Sequence, residues 1–241
     1  MRTLLSKEKE RLDALACAKN RESAIAEDNL LQELPHILAF CKLYQDAYSR
    51  YLSAVLPQHP SGIQCQAGCG NCCHHFPMSV EPFELFRFYA EIRKSPQWFS
   101  YLEECLFRTK VYQSALRQNS EAEDPEDAAL IRYFSKGIPC PFLLESGSCA
   151  SYPVRPVTCR MYFSETPGKY CVPEHLQTDL NRSFIVYLPD DVETQIADIS
   201  AHYRGLELPE SLYGGLLAMN AYEPAFAQAD AITDVLPESV P

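Results

Sequence analysis

The chain has 241 residues and a formal net charge of −11 at pH 7. A chain of this length buries a substantial core without covalent help, so folding does not need disulfides. The acidic charge argues against nucleic acid as a partner, because phosphate contacts depend on Lys and Arg.

We expect no signal peptide at the start of the printed sequence. MRTLLSKEKERLDALACAK has one pair of leucines before lysines and glutamates follow, so it lacks the apolar core of a signal peptide. No stretch approaches the roughly 18 uninterrupted apolar residues of a membrane-spanning helix. We therefore expect a cytoplasmic protein without a membrane span. Eleven cysteines in a reducing compartment are more naturally metal-binding thiolates than disulfides.

Apolar residues at spacings of three and four predict amphipathic helices. The first runs through PHILAFCKLYQDAYSRYLSAVLP, from near Pro35 to a point before Pro57. The second covers about 80–94, with Ser79 as its N-cap. Together they predict that helices flank the stretch in between, which contains glycines and cysteines and should be irregular.

Two further helices are predicted on the C-terminal side of these two. The stretch PQWFSYLEECLFRTKVYQSALRQ places on one face Phe99, Leu102, Cys105, Leu106 and Tyr112. The acidic NSEAEDPED should be a solvated linker. DPEDAALIRYFSKG then predicts a short helix that Gly137 closes.

Residues 138–175 hold six of the eighteen prolines and no helical period, which predicts an extended, turn-rich segment. After it, RSFIVYLP is typical of a strand, DDVETQIADISAHYRGL and PESLYGGLLAMNAY are typical of helices, and AITDVLPESVP should be frayed. The fold class is therefore mainly α, with helices packed around an irregular cysteine-rich core and little strand. We expect a single domain over 1–241, with an N-terminal helical region (1–59), a cysteine-cluster metal-binding region (60–175) and a C-terminal helical extension (176–241).

Eight cysteines fall into two groups of four, and both groups lie where regular structure is least expected. The first group lies in CQAGCGNCCHH and the second in the proline-rich segment. The eight are Cys65, Cys69, Cys72, Cys73, Cys140, Cys149, Cys159 and Cys171. Because a metal ion or cluster can fix backbone that lacks hydrogen-bonded ladders, we predict that these cysteines form the metal-ligand pool.

Thiolates suit zinc and iron–sulfur clusters alike. Structural zinc usually takes ligands paired two to four residues apart on each of two knuckles, whereas eight, nine and eleven residues separate the cysteines of the second group. Glycines beside Cys69 and prolines on both sides of Cys140 also favour a cluster. We therefore predict an iron–sulfur cluster, of the [4Fe–4S] type, with zinc as the alternative.

Eight thiolates could serve one cluster with four spares, or two four-ligand centres. Adjacent side chains usually point apart, so Cys72 and Cys73 would have difficulty binding one ion, and as ligands they imply more than one metal. Arg155 and Arg160 bracket Cys159 and are predicted to contact the cofactor by offsetting its charge.

Two histidines and three further cysteines receive other assignments. His74 and His75 are predicted to lie beside the site or exposed, not as ligands. The cysteines outside the two groups, which are Cys17, Cys41 and Cys105, are predicted to be small buried residues within helices.

Two catalytic alternatives are weaker. The spacing of Cys65, Cys69 and Cys72 fits radical S-adenosylmethionine enzymes, but Asn71 stands where those enzymes usually place an aromatic residue, and the alternating strands of a partial barrel are missing. A nucleophilic cysteine would need an aligned base, which adjacent histidines do not establish.

The ordered motifs resemble a known family. Cys65-x3-Cys69-x2-Cys72-Cys73, the CPFL that starts at Cys140, a Gly-x-Cys ending at Cys149, and the RPxxCR around Cys159 are similar to the YkgJ-type cysteine-cluster proteins, a family of zinc- or iron-chelating domains. The resemblance implies eight cysteine ligands and a bacterial cytosolic protein, and it implies no defined reaction. A flagellin lysine methylase with an iron–sulfur centre has a similar cysteine arrangement.

The functional prediction is a metal-binding protein with a redox, electron-transfer or metal-handling role. A protein redox or client partner would suit that role, and the sequence leaves the oligomeric state open. One alternative is a structural zinc-binding module that mediates protein contacts. The other is an S-adenosylmethionine-dependent protein lysine methyltransferase, which rests on the resemblance alone, so the sequence does not decide whether the protein is an enzyme.

Overall fold

A computed structural model describes residues 1–66, 68–176 and 178–235, including their side chains except those of 232–235. Helices make up most of it, as predicted. They are α1 (Arg2–Lys19), α2 (Leu30–Val55), α3 (Pro82–Ile92), α4 (Trp98–Gln118), α5 (Pro125–Phe134), α6 (Asp190–Ala201), α7 (Leu212–Met219) and α8 (Glu223–Val235). Two short strands, β1 (Tyr162–Ser164) and β2 (Ser183–Ile185), pair antiparallel with Phe163 opposite Phe184. The mainly α fold with little strand is confirmed.

The helices pack in a pattern that joins distant parts of the sequence. Helix α2 contacts α3 and α8, α4 contacts α5 and α7, and α1 contacts α6. Aromatic side chains fill the centre, where the ring of Phe83 meets those of Phe40 and Tyr44 edge-on at 5.1 and 5.2 Å between centroids. Such pairs add about 0.5–1.5 kcal/mol each beyond the area that they bury. Among the described helices, none has the length and apolar character needed to cross a bilayer.

Helix α2 begins earlier than the sequence indicated. It starts at Leu30, so Pro35 lies inside the helix and cannot be its start. A proline inside a helix costs about 3 kcal/mol. Leu30 and Leu34 are almost fully buried on the same face, and each contributes about 1.5–3 kcal/mol by leaving water. The apolar burial therefore offsets the proline, whereas the predicted end before Pro57 is confirmed.

The predicted cap of α3 is wrong. Pro82 is the first residue of the helix and Glu81 precedes it, while Ser79 has a positive φ of 54°. The neighbouring Val80 N–H donates to the Glu210 carbonyl at 2.8 Å. This pairing with a distant segment holds the residues before Pro82 out of the helix, which a local capping rule cannot foresee.

The buried face of α4 also differs from the prediction. Cys105 and Tyr112 point inward as expected, but Phe99 and Leu106 are 77% and 43% exposed. The inward face instead begins with Trp98 and Tyr101. The buried face therefore keeps Cys105 and Tyr112 of the prediction and takes Trp98 and Tyr101 in place of Phe99 and Leu106.

Several predictions about the connecting segments hold. Gly137 adopts a φ of 61° and donates its N–H to the Phe134 carbonyl at 2.9 Å, closing α5. Residues 138–175 form turns and short 3-10 segments apart from β1. The tail was expected to fray, yet 231–235 belong to α8, and 236–241 lie outside the described residues.

Candidate metal centre

The first cysteine segment lies between α2 and α3 on irregular backbone, as predicted. Cys65 is exposed in a loop, and Cys69 follows Gly68, whose φ of 83° requires the left-handed conformation that glycine tolerates. Cys72 and Cys73 lie in a 3-10 turn over Asn71–His74. The glycines thus allow the chain to fold back sharply between successive cysteines.

The second segment follows α5 and uses different local structure. Cys149 pairs with Leu143 in an isolated antiparallel bridge, and Cys159 ends a 3-10 turn over Val157–Cys159. Cys171 directly follows another 3-10 turn, Gly168–Tyr170. The prolines therefore stop the chain from forming long elements, and short turns present the cysteines.

Direct backbone contacts hold the two segments against each other. The Cys140 N–H donates to the Cys73 carbonyl at 2.7 Å. Gly147 approaches Gly68 so closely that a Cβ on Gly147 would lie 2.0 Å from the Gly68 carbonyl oxygen. A Cβ on Gly168 would likewise lie 2.7 Å from the Cys69 sulfur. Side chains at these glycines would push the two segments apart.

Seven of the eight predicted cysteines line one cavity of about 1020 Å³. They are Cys65, Cys69, Cys72, Cys73, Cys149, Cys159 and Cys171. The eighth, Cys140, packs against the hydrophobic core beside the cavity. In the described part of the chain, no three His, Cys, Asp or Glu side chains converge closely enough to hold a metal ion between them. The fold gathers the thiols around a shared space, and metal coordination requires side-chain rotation within it.

The polar groups around this cavity select a class of metal. Its described lining contains thiols, amides and hydroxyls but no Asp or Glu. Calcium, magnesium and manganese favour carboxylate and carbonyl oxygens, whereas thiolates favour zinc, Cu(I) and iron–sulfur clusters. The donor set therefore fits a thiophilic metal.

Cys72 and Cys73 do not point apart as the sequence suggested. Both line the cavity, and their side chains interact with each other. A hydrogen bond from the Cys73 thiol lowers the pKa of Cys72 to about 6, against burial, and Arg155 adds to the lowering. The same hydrogen bond and burial raise the pKa of Cys73 well above its ordinary value. The pair therefore shares one proton near neutral pH, with the thiolate on Cys72.

Burial keeps the thiols of Cys140, Cys149 and Cys159 protonated. It raises the pKa of Cys140 to about 11 and also raises the pKa values of Cys149 and Cys159. The thiols also raise one another's pKa, because a second thiolate nearby is repelled. A bound cation removes this obstacle, because thiolates are its ligands and their protons are released on binding.

Both predicted arginines line the cavity, and they make different contacts. The Arg160 guanidinium donates to the carbonyls of Arg155 and Pro153, so it braces its own loop. The Arg155 guanidinium lies 4.5 Å from the centre of the Tyr152 ring, and its Nε has no hydrogen-bond partner among the described residues. Arg155 is thus the arginine with a free donor beside the thiols.

The two histidines also differ. His75 lines the cavity with its ring stacked on Phe134 at 4.0 Å between centroids and on Tyr162 at 5.6 Å. Burial lowers the pKa of His75 to about 4, so its ring is neutral at pH 7. The His74 Nδ1 lies 3.2 Å from the Asn71 carbonyl oxygen, within its own turn.

The three cysteines outside the two groups differ in their exposure to solvent. Cys41 and Cys105 are fully buried in α2 and α4, as expected for small apolar residues. Cys17 is exposed on α1, which corrects the prediction that it is buried. All eleven cysteines lie in the described part of the chain, and each is a free thiol.

A buried carboxyl group supports the site, and the sequence analysis missed it. Glu84 in α3 is 1% exposed, and its Oε1 accepts hydrogen bonds from the Val157 N–H at 2.9 Å and from Gln45 Nε2 at 3.2 Å. Gln45 lies on α2 and also donates to the Val154 carbonyl at 3.4 Å, so two helices hold the segment that leads to Cys159. The sequence signal for this role was the single acidic residue within the apolar stretch PFELFRFY. A glutamate is rarely buried among apolar residues unless it has a hydrogen-bond or ionic partner.

Comparison with known families places the cysteine segments in one domain type. Residues 64–179 match the family model CxxCxxCC, described as "Putative zinc- or iron-chelating domain". The match contains all eight cysteines and confirms, for this segment, the resemblance to a cysteine-cluster family. It supports metal binding, by zinc or iron. No curated protein and no solved structure matches the chain.

The contact between the two segments predicts a specific glycine requirement. Gly147→Ala should lower the free energy of unfolding by more than Gly137→Ala does, measured by urea denaturation. Both glycines have positive φ, so both variants carry a left-handed alanine, which costs about 1–2 kcal/mol. Only at Gly147 does the new Cβ also collide with backbone, because nothing lies within 4 Å of a Cβ at Gly137. Equal losses for the two variants would contradict the close packing described here.

Because the Glu84 carboxyl group is buried, we predict that the stability of the protein depends on pH. Burial raises its pKa to about 7 from an ordinary 4.5. Between these values the unfolded carboxyl is ionised while the folded one keeps its proton, so the free energy of unfolding falls as the pH rises through this window. A shift of this size corresponds to about 3 kcal/mol.

The variant Glu84→Gln keeps a side-chain oxygen for the Val157 N–H but cannot ionise. Its free energy of unfolding should therefore fall less than that of the wild type between pH 4.5 and 7, as urea denaturation at several pH values would show. The difference between the two proteins isolates Glu84, because His75 and other groups titrate in both. Parallel pH profiles would show that Glu84 does not carry this dependence.

Proposed function

We propose that the protein holds a thiolate-bound iron–sulfur centre between its two cysteine segments. The observation that carries the proposal is the single cavity that seven of the predicted cysteines line, without a carboxylate among its described residues. The match to a zinc- or iron-chelating domain gives independent support for the class of metal.

The ligands are taken from the eight cysteines of the two segments. One structural zinc ion takes four ligands in a closed tetrahedral site, and this cavity has more thiols than that around it. A polynuclear centre uses thiols spread over a larger volume. A [4Fe–4S] cluster needs four of the eight thiols, which leaves room for a second centre.

The surroundings suit an anionic centre. The positive charge of Arg155 helps to lower the pKa of Cys72. Its Nε, which has no partner among the described residues, can donate a hydrogen bond to a ligand sulfur. Arg160 holds the loop from which Arg155 projects. Hydrogen bonds to sulfur and nearby charge are the means by which a protein adjusts the reduction potential of a cluster. When bound, the cluster supplies one-electron chemistry, and the proposed role is redox or electron transfer with a protein partner, or metal handling.

The zinc alternative remains because the matched domain is described for zinc or iron. In that case the metal fixes the irregular backbone and the domain mediates protein contacts without turnover. Protein methylation finds no support in the contacts described above, and it stays a prediction from the resemblance.

Two broader predictions belong to the same proposal. The contacts of α1 with α6 and of α2 with α8 support one domain over 1–241, because helices from the N-terminal and C-terminal parts of the chain pack against each other. The eleven free thiols support a reducing compartment such as the cytoplasm, and the bacterial origin stays a prediction from the resemblance.

The test is purification under anaerobic conditions, followed by visible absorption and assays of iron, zinc and acid-labile sulfide. We expect a brown protein with iron and sulfide that dithionite bleaches. Cys72→Ser should lose most of the iron, because Cys72 lines the cavity and its lowered pKa favours the thiolate that binds metal. Cys17→Ser is the matched control and should keep the wild-type content, since Cys17 is exposed on α1.

A colourless wild-type protein with zinc and no sulfide would refute the cluster and support the zinc alternative. Equal metal content in both serine variants would remove Cys72 from the ligand set.

A further inference from the structure

Helix α4 presents a second apolar face to solvent. Phe99, Leu106 and Phe107 are all exposed, while Cys105 and Tyr112 on the opposite side of the helix are buried in the core. Because successive residues of a helix are turned by about 100°, the three exposed side chains lie within an arc of about 100°. Single exposed apolar residues are ordinary on a protein surface, but three on one helix face indicate an interaction site.

Two charged residues lie on the same face, among the apolar ones. Glu103 and Lys110 are exposed, and neither forms an ion pair among the described residues. Every residue three or four positions from either of them along the helix is uncharged. They are seven residues apart, about 10 Å along the helix axis, so they do not pair with each other. Both charges are therefore available to a partner outside the chain.

The charges on this face complement each other when two copies of α4 pack antiparallel. Glu103 lies three residues before Leu106, and Lys110 lies three residues after Phe107. A two-fold axis between Leu106 and Phe107 therefore places Glu103 opposite the partner's Lys110, and symmetry creates a second identical pair. A parallel arrangement would place each charge against its own copy, which is repulsive.

The apolar residues fit the same arrangement. Leu106 and Phe107 of the two copies meet at the axis. Phe99 lies seven residues before Leu106 and Ser114 lies seven residues after Phe107, so the Phe99 ring faces the partner's Ser114. A large side chain opposite a small one lets two packed surfaces interdigitate. The same register thus suits the charged and the apolar residues.

We propose that this face binds a second copy of the chain, so that the protein forms a two-fold symmetric dimer through antiparallel α4 helices. The inference goes beyond the metal centre and does not depend on a bound metal. The net charge of −11 repels a second copy in most orientations, whereas opposite charges meet at this face. Because each copy contributes mainly one helix, the interface is small, and we expect the dimer to dissociate on dilution.

The test measures the dissociation constant of the dimer by sedimentation velocity over a wide range of protein concentration. Glu103→Lys should raise this constant about 10-fold or more, because two attractive pairs in each dimer become two repulsive ones. Lys110→Glu should have the same effect. The double variant, Glu103→Lys with Lys110→Glu, exchanges the two charges and should return the constant to near the wild-type value.

Two further variants separate the interface from general effects. Glu10→Lys is the matched control, because Glu10 is exposed on α1 and the substitution changes the net charge by the same amount as Glu103→Lys. It should leave the dissociation constant unchanged. Leu106→Glu places two carboxylates beside the two-fold axis and should leave only monomer. Circular dichroism checks that each variant keeps its helices, as expected for substitutions at exposed positions.

A wild-type protein that stays monomeric at every concentration would overturn the proposal and leave a different protein as the occupant of this face. A dimer that both single charge variants leave intact would also overturn it, because the copies would then meet elsewhere. Weakening in the single variants without recovery in the double variant would contradict the antiparallel register. None of these outcomes bears on the metal centre, which the iron and sulfide assays test separately.

Discussion

The hydrogen bond from the Cys140 N–H to the Cys73 carbonyl joins two segments that have little regular structure of their own. Around it, Gly147 lies against Gly68, and Gly168 lies against Cys69, at distances that only glycine allows. The Gln64 N–H also donates to the Ser164 carbonyl at 2.8 Å, which ties the first segment to β1. The shared cavity exists because these close backbone contacts bring distant cysteines to one place.

Buried polar side chains on the helices hold the cysteine region in place. Glu84 and Gln45 reach from α3 and α2 to the turn before Cys159, and Arg108 reaches from α4 to the residue before Cys140. Each support is polar and buried, so each is costly to the fold unless its partner is present. The second cysteine segment is thus fixed to the core at the residues next to Cys140 and Cys159.

Electrostatics sets the second constraint on the site. Many thiols close together cannot all ionise, because burial and mutual repulsion raise their pKa values. The hydrogen-bonded pair Cys72 and Cys73 is the exception, with a thiolate on Cys72 near neutral pH. This gives an entering cation one preformed anionic ligand, and the remaining thiols can lose their protons as the positive charge arrives.

Much of this organisation could be predicted from the sequence. The cysteine groups stand out because their glycines and prolines rule out long helices, and the periodic apolar residues mark the helices on either side. The inward face of α4 was mistaken because Phe99 and Trp98 are both large and apolar, and periodicity does not choose between adjacent stripes. The role of Glu84 depends on contacts across the fold, so no local pattern reveals it. The orientation of Cys72 and Cys73 depends on a 3-10 turn whose geometry the spacing alone does not give.

X-ray absorption at the iron and zinc edges of the anaerobically purified protein tests the central claim most directly. The account predicts a first coordination shell made of sulfur, at about 2.3 Å if the metal is zinc. For iron it also predicts a second shell of neighbouring iron atoms, because the centre is a cluster. A first shell of oxygen and nitrogen atoms would contradict the account, because the metal would then lie away from the cysteines.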